Sequence, residues 1–244
     1  MTIRELRDDA EVRAACGDDD LPVWAAQGLR GGARAWALGG AVVAAGPGVS
    51  RRDRLGVWGE PADAVELVRY ALAELGPSYR PFGERELMRQ VTAKLEVLRE
   101  SGTFSWMSLP VLDGPAGDGV GWLAPEAESE VAALLAVAAP DSYAVPGLAG
   151  VRRWAGLRVG GELAAVAADA WSAPSVGLLA GVATRAALRG RGLADRVCRW
   201  ASRELLAGHG RAALMVDDAN VAAVTVYERI GYRRRRVLAA RVAG

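Results

Sequence analysis

Gly181-Val-Ala-Thr-Arg-Ala-Ala-Leu-Arg-Gly-Arg-Gly-Leu-Ala194 is the stretch on which the reading of this chain turns. It opens as the tail of an apolar run, Val176 to Thr184. It then crosses a short polar bend, reaches Arg189-Gly190-Arg191-Gly192, and passes into a helical pattern from Leu193 to about Ala207. Strand, glycine turn and helix start, in that order, build an anion site. The first N–H groups of a helix have no partner inside it, and the aligned peptide dipoles add partial positive charge at the same end. Two glycines let the main chain approach an anion with no side chain in the way. A phosphate or diphosphate is the natural occupant.

Working outward, Arg189-x-x-Gly192-x-Ala194, preceded by a strand ending Val182-Ala183-Thr184, resembles the acyl-CoA-binding motif of the GNAT acyltransferase superfamily. A second motif, Asn220-x-Ala222-Ala223-x-x-x-Tyr227-x-x-x-Gly231-Tyr232, is similar to that family's closing helix, and one helix and one strand separate the two. The resemblance runs from about Gly119 to the C-terminus. It implies an α/β (α+β) fold, a mixed and mostly antiparallel sheet flanked by helices. It also implies acetyl-CoA, or another acyl-CoA, as cosubstrate, and an N-acetyltransferase activity toward a primary amine of a small molecule or peptide. The cofactor contacts it implies are Val182, Ala183, Thr184, Arg189, Gly190, Arg191, Gly192, Leu193, Ala194 and Asn220. Main-chain groups at Val182 to Thr184 can pair with the pantetheine arm as an added strand would, and the resemblance implies that an N–H there stabilises the developing oxyanion. Arg189 and Arg191 either add charge to the diphosphate seat or are solvated. Asn220 bonds the cofactor, caps the helix, or does both. The resemblance makes Tyr227 the catalytic candidate, a general acid toward the departing thiolate, and a hydroxyl with pKa near 10 can protonate a thiolate of similar basicity; its other reading is a buried tyrosine packing the last helix.

The attacking amine must be neutral. At pH 7 an alkyl amine of pKa near 10.4 is neutral about once in 10³ molecules, a cost of roughly 4–5 kcal/mol. Many family members carry a carboxylate on the central strand for this step; Val176 to Thr184 has none. Asp169, Glu162 and Asp217 are the candidates, each with a structural reading beside it. That gap keeps a second function in view: a non-catalytic acyl-CoA-binding or sensing protein with the same fold.

Around this centre the C-terminal half reads as a helix from Pro125 to Ala138, a loop from Asp141 to Gly150 and a meander. The meander strands are Trp154 to Val159, Glu162 to Trp171 and Val176 to Thr184, joined at Gly160-Gly161 and Ser172 to Ser175. Leu193, Val197, Ala201 and Leu205 share a helix face, with Cys198 beside it as core packing and Arg196, Arg199 and Arg203 on solvated faces. His209 falls at the helix end, before a strand from Arg211 to Asp217, the motif helix and a last strand, Val237 to Val242, led by Arg233 to Arg236. Trp154, Trp171 and Tyr143 are candidates for an apolar acceptor pocket or for core.

Upstream, Asp113 to Gly119 is dense in turn residues and marks a boundary, giving an N-terminal domain of residues 1–112 and a GNAT-like domain of 119–244. The first half reads as a short, partly helical element over Thr2 to Cys16, then an acidic loop or cap at Asp18 to Asp20. A hairpin follows about Gly39-Gly40, a strand at Arg54 to Trp58 and a helix from Pro61 to Gly76. A turn at Gly76 to Pro81, a helix from Glu84 to Arg99 ended by Gly102, and a strand from Phe104 to Val111 complete it. It has no phosphate loop, so it is either a degenerate GNAT-like copy or an unrelated smaller α/β domain.

Composition excludes other classes. With 244 residues, 51% hydrophobic, 24% charged and net charge +1, the chain is globular and not a general polyanion binder. Neither a nucleic-acid nor a membrane partner is expected. Two cysteines and one histidine make neither a disulfide framework nor a metal cluster, so no metal is expected. No secretory or membrane-spanning segment is read, which gives a cytoplasmic expectation, as monomer or homodimer.

Overall fold

A computed structural model describes residues 2–115 and 117–243. Ala116, in the expected linker, and the terminal residue Met1 lie outside the described residues. The chain divides into two compact units, residues 1–106 with 235–244, and residues 107–234.

The first unit begins with β1 (Arg4–Leu6), α1 (Asp9–Ala15) and α2 (Asp20–Ala26). The meander β2 (Arg34–Leu38), β3 (Ala41–Gly46) and β4 (Arg54–Gly59) follows. Then come α3 (Pro61–Leu75), β5 (Arg80–Glu84), α4 (Arg85–Lys94) and β6 (Leu98–Leu109), whose last residues pass into the second unit. The second unit holds β7 (Val120–Trp122), α5 (Glu128–Ala138), β8 (Val151–Val159), β9 (Glu162–Ala170) and β10 (Gly177–Thr184). It continues with α6 (Leu193–His209), β11 (Ala212–Val216) and α7 (Val221–Ile230); β12 (Arg233–Val242) then returns to the first unit.

The two runs share one order of elements. Each has a strand, helical residues, a three-stranded antiparallel meander, a helix, a strand parallel to the meander's last strand, and another helix. The parallel pairs are β4 with β5 and β10 with β11. In the first unit the strand order is β1-β2-β3-β4-β5-β12-β6, with β12 antiparallel to β5 through Val237↔Glu84 to Ala239↔Phe82. In the second it is β11-β10-β9-β8-β7.

Each unit has its own core. In the first, α3 lays Ala64, Val65, Leu67, Val68 and Ala71 on Trp36, Val43, Leu55 and Val57. In the second, α6 lays Leu193, Val197, Cys198, Ala201 and Leu205 on Ala155, Leu157, Ala165, Ala167 and Leu179, with Tyr227 and Ile230 of α7. A fully buried Val or Leu contributes about 1.5–3 kcal/mol, so this one face is what fixes α6 on the sheet. Cys198 is core, as its position implies, and burial pushes its thiol far above the ordinary range. Among the described residues no helix is long and apolar enough to cross a membrane.

Two local expectations need correction. The helix after Glu84 stops at Lys94, and residues 98–109 form one strand, so Gly102 lies inside a strand and terminates nothing. Leu95 leaves the helix at φ −112°, ψ 92° because the following backbone is taken into the sheet. Arg80 and Pro81, read as turn, open β5; Pro81 is paired with Leu55. The acidic run takes the cap reading: Asp19 caps α2 through Leu21 N–H, and Asp20 is the helix's first residue. The arginines before the last strand also divide. Arg235 is paired at Asp19 and Asp20, and Arg234 at Asp218.

Candidate functional site

The geometry begins where β10 leaves its neighbours. β10 pairs with β11 only through Gly177↔Ala212, Leu178↔Ala213 and Leu179↔Leu214. On its other side the register with β9 jumps between Ala180 and Ala183, a bulge of one residue. Gly181 sits in that bulge at φ +59°, and a Cβ there would lie 2.5 Å from the Trp154 ring, so the position admits only glycine without rearrangement. Val182 shares the bulge; beyond it Ala183 and Thr184 resume pairing with Val166 and Ala165 of β9, and the other edge of all three is released from β11. Thr184 Oγ1 is buried and has no hydrogen-bond partner among the described residues.

Eight residues, Arg185 to Gly192, then connect β10 to α6. They include a single 3₁₀ turn, Ala186–Leu188. Arg185 holds the loop from beneath through Leu163 C=O at 3.1 Å. Arg189 donates to the carbonyls of Thr184 (3.3 Å) and of Ala138, the last residue of α5 (3.1 Å). Its guanidinium therefore clamps the loop, with the cation at a helix C-terminus where the dipole favours it. Arg191 is exposed. Gly190 and Gly192 adopt φ +75° and +74°, and a Cβ at either would meet no atom within 4 Å. Gly192 is the N-cap of α6, no described side chain bonds it, and the first intrahelical bond is Arg196 N–H to Gly192 C=O. The amides of Leu193 and Ala194 thus precede the first closed turn beside an open glycine cradle. That cradle fits a diphosphate.

The second motif lies on α7. Asn220 caps that helix, its Oδ1 accepting from Ala223 N–H at 3.1 Å. Tyr227 is 7% exposed, packed edge-on against Tyr232 at 5.9 Å between ring centroids. Burial, with smaller contributions from Cys198 and Tyr232, raises its hydroxyl well above 10. Tyr232 is satisfied by Ser202 at 2.8 Å.

The three base candidates are committed elsewhere. Asp169 is 1% exposed, accepting from Ser172 Oγ at 2.6 Å and Arg153 Nε at 3.2 Å. Glu162 is on the surface, 3.7 Å from Arg185. Asp217 closes a turn by accepting from Ala219 N–H. His209 bonds Pro174 C=O near the end of α6. Of the arginines read as solvated, Arg196 and Arg203 donate to the carbonyls of Asp118 and Gly114, and Arg199 pairs with Asp195 at 2.9 Å. The sequence reading missed the bulge at Gly181, whose signal was a lone glycine inside a strand pattern.

Residues 155–241 match the family model described as FR47-like protein. Among solved structures the chain is similar to a GCN5-related N-acetyltransferase from Kribbella flavida, with TM-score 0.60 and 20% identity over 92% of this chain and 96% of that one. It is similar also to an acetyltransferase of the GNAT family from Colwellia psychrerythraea, with TM-score 0.55 and 11% identity over 100% of both chains. A GCN5-related N-acetyltransferase from Sphaerobacter thermophilus matches with TM-score 0.51 and 15% identity, over 98% of this chain and 95% of that one. No curated protein matches. The chain has the GNAT acetyltransferase fold: a mixed, mostly antiparallel sheet flanked by helices.

Proposed function

We propose that residues 107–234 form an acyl-CoA-dependent N-acyltransferase that moves an acetyl group directly from acetyl-CoA to a primary amine of a small molecule or peptide. The observation that carries this is the parting of β10 from β11 after Leu179, followed by a bulge and an uncapped helix start behind two open glycines. In this reading the amides around Gly190 to Ala194 hold the diphosphate, and the free edge of Val182 to Thr184 takes the pantetheine arm as an added strand. Acetyl-CoA supplies the acyl group as a thioester. An N–H of the released β10 edge bonds the carbonyl oxygen as it gains charge, while the amine nitrogen forms its bond to that carbon and the C–S bond breaks. The amine proton leaves to solvent.

Tyr227 bonds the departing sulfur. Its raised hydroxyl stays protonated at working pH and gives up its proton less readily than a solvated phenol, so hydrogen bonding to the thiolate outweighs complete proton transfer. Asn220 orients the start of α7. The first unit is a degenerate copy of the same fold in tandem, a reading supported by the repeated order of elements.

A second reading, a CoA-binding protein without transfer chemistry, is favoured by one observation: Asp169, Glu162 and Asp217 are all tied into other contacts. Thiol release from acetyl-CoA across a panel of primary amines separates the two. Amine-dependent release is expected; CoA binding without amine-dependent release would leave the sensor reading.

A further inference from the structure

The face of the second unit's sheet opposite α6 carries a donor with nothing to bond. Trp154 on β8, Ala168 on β9 and Ala180 on β10 lie in one row across three strands. Alternation puts Trp154 and Ala168 opposite Ala155 and Ala167, which pack under α6. The indole reaches along this row of small residues to the bulge. Its Cη2 and Cζ3 are the atoms that a Cβ on Gly181 would strike, at 2.5 and 2.8 Å, and Ala144 closes the same spot at 3.2 Å. Trp154 is 4% exposed, yet its Nε1–H has no hydrogen-bond partner among the described residues. A buried donor left unpaired costs about 1–3 kcal/mol, and phenylalanine would occupy much of the same space without that cost.

The wall beside it is held under strain. Trp171, just past the end of β9, adopts φ +53°. Its ring N–H donates to Ala149 C=O at 3.1 Å and its main-chain N–H to Gly150 C=O at 2.6 Å, pinning the end of the 139–150 loop. Ser142 Oγ bonds Ala144 C=O at 2.8 Å, tucking Ala144 beneath the loop, while Tyr143 and Val145 remain 46% and 37% exposed at its rim. A non-glycine residue in this backbone region costs of order 1–3 kcal/mol, and such strain gathers at functional sites.

We propose that Trp154 is a specificity-determining donor of the acceptor pocket, and that the acceptor is a primary amine bearing a neutral carbonyl oxygen, of the amino-acid amide or peptide type. This rests on the acyltransferase reading of the second unit. The cofactor is not the partner of this N–H: the benzo edge faces the β10 bulge, and Nε1 is on the pyrrole side, turned away from it. A carboxylate is not the partner either. Gly181 and Ala144, which meet the ring, carry no charge; Arg152 is taken by Ser172 C=O and Arg153 is on the other face with Asp169 and the Trp122 ring, so a carboxylate would be buried without a free cation at a penalty of several kcal/mol.

The test labels the eight tryptophans with indole ¹⁵N and identifies the Trp154 signal by its loss in Trp154→Phe. If that variant does not fold, the signal is identified through its own ring protons, those on Cη2 and Cζ3 being the ones in contact with Gly181. CoA is added first, then alaninamide or sec-butylamine, which match in shape and differ in the carbonyl. The Trp154 N–H signal is expected to hold still with CoA alone, to move downfield with alaninamide, and to stay with sec-butylamine. In turnover, Trp154→Phe should raise KM for alaninamide about tenfold with KM for acetyl-CoA unchanged, and the control Trp36→Phe, another unpartnered indole but one closed into the first core against Tyr70, should change neither. Movement with CoA alone, an equal response to both amines, or no response to alaninamide would overturn the proposal. Failure of CoA to shift the Gly192 amide would instead overturn the acyltransferase reading beneath it.

Discussion

The two units make the same turn from meander to helix in opposite ways. In the first, a single residue, Glu60, links β4 to α3. Pro61 removes an amide from the helix start, and Asp63 of the first turn accepts from Gly40 N–H at 2.9 Å. Gly59 is walled in, since a Cβ there would lie 2.0 Å from Gly40 C=O. In the second, eight residues and two open glycines link β10 to α6; neither helix start has a side-chain cap, so the loop and its glycines make the difference. β4 pairs unbulged with β5 over Arg54 to Val57, whereas β10 lets go of β11 after Leu179 and is bulged at Gly181. One order of elements is therefore compatible with a seat for a diphosphate or with a helix start that Pro61, a one-residue link and the walled-in Gly59 leave no room to become one. The loop decides which.

The largest effect is expected from carrying the first unit's solution into the second. Gly192→Glu places a carboxylate at the α6 N-cap and should weaken acetyl-CoA binding by roughly 100-fold or more, the equivalent of one or two charge-assisted hydrogen bonds. Glu60→Gly should not create a second site. Equilibrium binding to both variants checks this, and unchanged affinity in Gly192→Glu breaks the contrast.

Next comes the bulge, which β4 lacks. Gly181→Ala must adopt φ +59° against the Trp154 ring, a loss of about 2 kcal/mol or more in stability. Denaturant melts measure it; a neutral result would mean that the released edge of β10 does not depend on the bulge.

Tyr227 has no tyrosine counterpart on α4 of the first unit. Tyr227→Phe should lower kcat about 10- to 100-fold while KM for acetyl-CoA stays within a factor of two or so. Equal turnover would remove the hydroxyl from the chemistry and leave it as packing.

The smallest effect is a pH slope. Cys198, Tyr227 and Tyr232 are buried neutral in the second core, and burial raises all three above ordinary values of 9.0, 10.0 and 10.0. Above those values the unfolded chain binds fewer protons than the native one. Their contribution is whole below pH about 9 and falls as pH rises, by up to about 1.4 kcal/mol per pH unit for each group. Melts between pH 7 and 11 should show this slope, shallower in Tyr232→Phe; a flat profile would mean that the pair is not closed off from water.

Much of the second unit was legible because its punctuation is local. Gly192, Gly210 and Gly231 all sit at helix ends in the left-handed region, and the apolar face of α6 keeps helical spacing. The first unit was harder. Leu87, Met88, Val91, Leu95 and Leu98 keep a helical period across a helix end that carries neither glycine nor proline, so only sheet pairing reveals the change to strand at Leu98. β5 contains Pro81 and Gly83; Gly83 is there because a Cβ would lie 2.4 Å from Val57 C=O, a constraint set by a distant strand. Arg235 finds Asp19 and Asp20 more than 200 positions away. In the candidate site, the glycine cradle and the Asn220 cap are local signals. The clamp role of Arg189 and the bare N–H of Trp154 depend on what the folded chain places around them.

Isothermal calorimetry of the intact chain with acetyl-CoA tests the central contrast most directly. One site per chain, abolished by Gly192→Glu and indifferent to Glu60→Gly, is the predicted result. Two sites per chain, or binding that survives Gly192→Glu, would contradict it.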